Sequence, residues 1–268
     1  MGVRLCTEVC YNTPMFSWAS RRRFTYLASI GAVLLVVIGI PTLIALQTEP
    51  TCFDDEQNQD ERGVDCGGAC SLMCKNETQP LNLLWSRAFK VAEGNYNVLA
   101  YMENPNVGMG AEVGYRFEIY DNNNVLIDDR VGSMIISESG PVALFEAGVR
   151  TNIRTPGRVF FSLLNEPVWY RAEDLPQVTV EGERAGQSGD GMPRVDATVY
   201  NPEVHELHGV EVTAVVYDQT GNALGVSRTV VSSIASRERK AIFFTWSAPF
   251  TAPVGRIELI PSVPPQSR

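Results

Sequence analysis

The sequence predicts a mainly β protein: two tandem antiparallel β-sandwiches carried behind one N-terminal transmembrane helix. Three observations lead there. An uncharged run of 23 residues, Phe24 to Leu46, stands near the start of the 268-residue chain. Beyond it, apolar residues alternate with period two in short segments, the mark of strands with one face on a core. Those segments then recur, in register, about one domain length later in the chain.

The apolar run comes first. At ~1.5 Å per residue it is about 34 Å long, enough to cross a hydrocarbon core of roughly 30 Å with slight tilt. Arg21, Arg22 and Arg23 precede it, while Glu49, Asp54, Asp55 and Glu56 follow. The positive-inside rule therefore places residues 1–23 in the cytoplasm and the long remainder outside. The run is long for a cleavable secretory signal, and QTEP after Leu46 offers no small-x-small cleavage site. Ser20-Arg21-Arg22-Arg23-Phe24 resembles a twin-arginine export signal, but Thr25 and Tyr26 depart from it. A pilin-type leader lacks its Gly and its early Glu here. An uncleaved anchor is the expectation. Pro41, near the outer end, removes one backbone donor and is able to kink the helix. Cys6 and Cys10 in the tail are expected to be plain thiols.

Four cysteines follow the span closely: Cys52, Cys66, Cys70 and Cys74, spaced C-x13-C-x3-C-x3-C. So few apolar residues accompany them that two disulfides, not a core, must hold residues 50–76. Three pairings satisfy four cysteines, and spacing does not choose among them. Gly67-Gly68 lets the chain turn sharply between Cys66 and Cys70. The spacing lacks the paired CxxC knuckles of structural zinc sites. The loop is rich in hard oxygen donors, and an EF-hand template begun at Asp54 fits at its first, third and fifth positions. It fails at Gln59, where glycine belongs, and at Asp65, where glutamate belongs. A solvated acidic loop is the plain expectation. The alternative is a loose calcium site on Asp54, Glu56, Asn58 and Asp65. This segment resembles a motif of bacterial secreted and surface proteins, C-x-D-G-x-x-N-x-x-E-x-x-x-D-C-G-G-x-C-x-x-C. Asp54, Asn58, Glu61, Asp65, Cys66, Gly67, Gly68 and Cys70 match it, and the resemblance implies an extracellular setting with no set activity. Asn76-Glu77-Thr78 is a glycosylation sequon.

The rest of the chain compares best with itself. Asn104-Pro105 and Tyr120-Asp121 recur as Asn201-Pro202 and Tyr217-Asp218, at an offset of 97. Val113, Tyr115, Phe117 and Ile119 correspond to Val210, Val212, Ala214 and Val216. After a one-residue insertion the offset is 98, and Gly157-Arg158 meets Gly255-Arg256. Asn-Pro ends a strand because proline cannot donate to a ladder. Asn122-Asn123-Asn124 and Gln219-Thr220-Gly221-Asn222 are turn residues. About seven strands in roughly 90 residues, with turns every 8 to 12, make an antiparallel sandwich. The expected domains are 80–171 and 172–268. Glu183 to Pro193, polar and Gly-rich, reads as a long loop in the second domain or as the linker.

The second repeat, from Val199-Tyr200-Asn201 through Tyr217-Asp218 to Leu224-Gly225, resembles the FxLYD family of bacterial envelope domains. The first follows more loosely through Phe117, Ile119, Tyr120 and Asp121. The resemblance implies immunoglobulin-like sandwiches on the cell surface without catalytic residues. With no cysteine in either domain, the disulfide-pinned immunoglobulin type is excluded.

The charge divides unevenly. Net charge is −9 overall, yet residues 1–50 carry four Arg against two Glu, so the body is more acidic than the total. Such a body is a poor partner for nucleic acid or anionic lipid. No phosphate loop, dinucleotide fingerprint, HExxH or G-x-S-x-G is present. His205 and His208, with Glu203 and Glu206, are expected to be exposed loop residues. Trp85, Trp169, Tyr170 and Trp246 are expected to fill cores and not to form a ligand platform. The expectation is a membrane-anchored, non-enzymatic surface protein with a binding or structural role, its partner an extracytoplasmic protein or envelope component. The alternative is an accessory part of an export, pilus or hydrolase system. No cofactor beyond the calcium alternative is expected.

Overall fold

The computed structural model describes residues 18–47, 51–58 and 60–263. The expectations for Cys6 and Cys10, for Gln59 and for the last five residues lie outside these.

Helix α1 (Trp18–Leu34) leads through a wide π turn (Leu35–Gly39) into α2 (Ile40–Gln47). A stretch from Ser20 to Leu43 is long and apolar enough to cross a membrane. The wide turn ends where Ile40 donates its N–H to Leu35 O, one residue before Pro41, which has no N–H to give. Just beyond, the Thr42 hydroxyl donates to Ile38 O and Gly39 O at 2.7 and 2.9 Å. The helix thus continues through Pro41 by widening.

The remainder, Cys52 onward, is one compact unit. It is mainly β, with antiparallel sheets. In the first sandwich, β1 (Asn82–Ala92), β2 (Asn95–Asn104) and β5 (Gly140–Arg150) form one sheet in the order β1-β2-β5. The facing sheet has β3 (Met109–Asp121) between β4 (Leu126–Ile136) and β6 (Pro156–Leu163). The short β7 (Val168–Arg171) takes the part of β3 that β6 leaves open. In the second sandwich, β9 (Pro193–Tyr200) lies between β8 (Thr179–Gln187) and β12 (Arg239–Thr245). Opposite it, β10 (Leu207–Asp218) lies between β11 (Ala223–Ile234) and β13 (Val254–Ser262). Both sandwiches therefore use one strand order.

Alternation builds the cores. Val98, Ala100 and Met102 of β2 meet Val113, Tyr115, Phe117 and Ile119 of β3 in the first. Val195, Ala197 and Val199 of β9 meet Val210, Val212 and Ala214 of β10 in the second. The other faces of β2, β5 and β10 are buried too, against one another. Leu99, Ala143 and Phe145 pack on Val215, Tyr217, Val226 and Ile260 in a third core, between the sandwiches. The body is four sheets deep.

One sequence expectation is corrected. Glu183 to Pro193 is not a long loop or a linker: Glu183–Gln187 continues β8 along β9, and only Ser188–Met192 turns. Gly182, in the left-handed region at φ 70°, sits at the irregularity between Glu181 and Arg184 and lets the polar ribbon carry on. The actual connection is short and pinned. Gln177 donates its side-chain amide to Ala172 O at 2.5 Å, and its backbone N–H to Glu203 Oε1 at 2.9 Å.

Candidate functional site

Two places in the body concentrate polar chemistry: the cysteine collar and the seam between the sandwiches.

In the collar the cysteines pair as Cys52–Cys70 and Cys66–Cys74, an interleaved arrangement. Asp65 organises the loop they enclose. Its Oδ1 accepts the Asp54 N–H at 2.9 Å and its Oδ2 the Asp55 N–H at 3.0 Å. The Asp54 carboxylate accepts the Glu56 N–H and the Asn58 side-chain amide. Glu61 Oε2 accepts the N–H groups of Asn58 and Asp65. Glu56 itself projects into solvent. Of the four candidate calcium donors, Asp54, Asn58 and Asp65 are thus drawn together, with their polar atoms directed largely at backbone amides. Among the described residues the one compact metal-type cluster is Cys52, Glu61 and Cys70. Its two sulfurs are bonded to each other, so neither is a thiolate ligand. Gly68, at φ 57°, is obligatory: a Cβ there would lie 1.6 Å from Asp60 O.

The collar does not stand free. Ser71–Met73 lies antiparallel along β7: Arg171 donates to Ser71 O at 3.0 Å, Met73 to Trp169 O at 2.9 Å, and Leu72 bridges Tyr170. Met73 packs on the first core. Gln79 and Asn106 exchange hydrogen bonds just beyond. Where collar and sandwich meet, Val64, Leu72, Met73, Leu81, Val168 and Trp169 line a groove of about 680 Å³.

At the seam, Glu258 Oε2 accepts hydroxyl hydrogens from Tyr101 of the first sandwich and Tyr217 of the second, at 2.9 and 3.1 Å. Trp85 stacks on Tyr101, ring centroids 5.2 Å apart. Burial first, then the Glu258 carboxylate, pushes the Tyr101 hydroxyl up to about 12. Tyr217 is raised too, by burial and then by Tyr101 and Glu258. On another part of the seam, Arg228 of β11 donates to Glu211 at 2.7 Å and to Phe145 O across the interface at 3.1 Å. Nearby, Tyr115 donates to Glu146, and burial again raises its hydroxyl.

The aromatic residues singled out in the sequence go to separate places. Trp85 is at the seam, Trp169 is buried in the first core, and Tyr170 faces the collar strand. Trp246 pairs edge-on with Phe250, both lying against β11 at Gly225, where a Cβ would come within 2.8 Å of the indole nitrogen. That is why Leu224 is followed by glycine. His205 and His208 are exposed as expected, but His208 stands on β10 and not in a loop, and among the described residues neither joins a metal-type cluster. Glu203 is occupied with the linker.

The seam is the feature that sequence reasoning missed. Its signal was present in Ala214-Val215-Val216-Tyr217, a continuous apolar stretch too rich for a strand with one wet face. Compared with known proteins, the chain matches no family model and no curated protein.

Proposed function

We propose that the protein is a single-pass membrane protein, N-terminus in the cytoplasm, displaying a rigid non-catalytic body outside as a binding or structural module of the envelope. The observation that carries this reading is the seam. Two sandwiches sharing a core and a two-tyrosine clasp on Glu258 act as one stiff body, which suits display at a fixed geometry better than it suits a hinged catalytic cleft. The apolar helix supplies the anchor, and disulfides in the body that follows it in the chain fit an oxidising compartment. The arginines before the uncharged run, in the first turns of α1, set its direction.

The tail carries the test. Cys6 and Cys10 are the only cysteines outside the collar. A membrane-impermeant maleimide should label them only after permeabilisation, while protease added to intact cells removes the body. Labelling in intact cells overturns the orientation. For the role, site-specific photocrosslinkers at exposed body positions of the full-length protein should yield discrete adducts with an extracytoplasmic partner. Turnover of a hydrolase substrate panel by the purified protein would replace the reading with an enzymatic one.

A further inference from the structure

We propose that the collar is a redox-releasable strand of the first sandwich: oxidised, it covers the outer edge of β7, and reduction by a dithiol uncovers that edge. This goes beyond the display role and does not depend on the direction of the anchor. The covering strand, Ser71-Leu72-Met73, is only three residues long and is held by two backbone hydrogen bonds to Arg171 and Trp169. So short an edge strand does not hold itself in place. Apart from the packing of Met73 on the first core, what holds it are its neighbours on either side. Cys70 immediately precedes it and Cys74 immediately follows, and each is half of a different disulfide. Both are buried, at 1% and 5% exposure. Their partners Cys52 and Cys66 are partly buried and more open than Cys70 and Cys74, so a thiolate approaches each bridge from their side.

The collar is shaped around these bridges. A Cβ at Gly63 would come 2.9 Å from Cys66 Sγ and 3.1 Å from Cys74 Sγ, so the chain closes tightly on the sulfurs. The remaining ties across the joint are weak. The Lys75–Glu166 ion pair is well exposed at both ends and contributes little, while Arg62–Glu77 joins two residues that both precede β1. The next firm anchor is the Gln79–Asn106 exchange, beyond Cys74, which keeps β1 in place when the collar leaves.

The chemistry balances. A reductant thiolate attacks Cys66 Sγ, Cys74 departs as a thiolate and takes a proton, and the reductant's second thiol closes its own disulfide and releases Cys66. Cys52 and Cys70 follow the same course, two electrons and two protons per bridge.

Hydrogen exchange on the full chain in detergent micelles, with and without dithiothreitol, tests the proposal. Exchange at the Met73 and Arg171 amides should accelerate about tenfold or more once four body thiols titrate, while Leu99 and Val215 keep their protection. The double variant Cys66→Ser/Cys74→Ser should show the Met73 acceleration without reductant. Undiminished protection at Met73 and Arg171 after full reduction overturns the proposal. So does simultaneous loss at Leu99 and Val215, because the collar would then be inseparable from the fold as a whole.

Discussion

Asn104 and Asn201 do the same work at the ends of two different strands. The Asn201 side-chain amide donates to His205 O, Ile234 O and Ala235 O, and its oxygen accepts the Glu203 N–H. Asn104 donates to Met109 O and Glu138 O and accepts the Asn106 N–H. Each side chain is wholly buried and ties two loops to the strand it follows. Asn201→Ala removes all of these bonds from a buried position, although Ala235 O keeps the Glu238 N–H, so urea unfolding should show a loss on the order of 1–3 kcal/mol. A loss within the scatter of surface substitutions would mean that water replaces the amide. The turn aspartates are a second matched pair. Asp218 Oδ1 accepts the N–H groups of Thr220 and Asn222, as Asp121 Oδ1 accepts those of Asn123 and Val125. The Thr220 hydroxyl first, then the Asn222 N–H, lower the Asp218 carboxyl to about 2. A depressed carboxyl supports the turn at all pH values above its unfolded value near ~4 and withdraws that support as pH falls towards 2. The Thr220 and Asn222 amide resonances should therefore hold position down to about pH 4 and move only below it. Movement centred near pH 5 would show that Asp218 does not hold the turn.

At the level of elements, strands and turns were legible and depth was not. Alternation located β2, β3, β9 and β10, because a half-buried strand must alternate whatever lies behind it. It did not locate the seam, because alternation reports only the contrast between two faces. Where both faces are buried, as in Val98-Leu99-Ala100, the contrast disappears. The Asn-Pro pairs were visible as strand ends, while the buried amide that makes the asparagine necessary was not. In the collar, the cysteine count pointed to two disulfides, but their pairing depends on where Gly67 and Gly68 turn the chain. The acidic residues, visible as oxygen donors, act in the structure as acceptors for backbone N–H groups. Asp65→Asn weakens the bonds to Asp54 and Asp55 N–H, so the collar should loosen and the melting temperature should fall. Calcium chloride separates the two uses of these donors. If they serve the backbone, it shifts the melting of the parent protein and of Asp65→Asn alike. A shift confined to the parent would assign Asp54, Asn58 and Asp65 to the cation.

For the whole molecule, the third core decides how the body unfolds. Leu99 and Phe145 of one sandwich and Val215, Tyr217 and Ile260 of the other are withdrawn from water only while the sandwiches stay together. The body should melt in one transition. Val215→Asp, which plants an unpaired charge in that layer, should split it into two. Alkali tests the same joint without mutation. Tyr101 and Tyr217 both donate to Glu258, so ionising either hydroxyl removes a hydrogen bond and sets a second negative charge beside the carboxylate. An unfolded tyrosine ionises near ~10. Because the folded Tyr101 hydroxyl is raised to about 12, its share of stability is complete below the unfolded value and is lost as pH climbs from there to about 12. Tyrosinate absorbance and small-angle scattering, followed together, should show the body lengthening within that window as the joint opens. In Tyr101→Phe/Tyr217→Phe the clasp is absent from the start, so a lengthening that persists unchanged in this variant would place the alkaline step elsewhere than at Glu258.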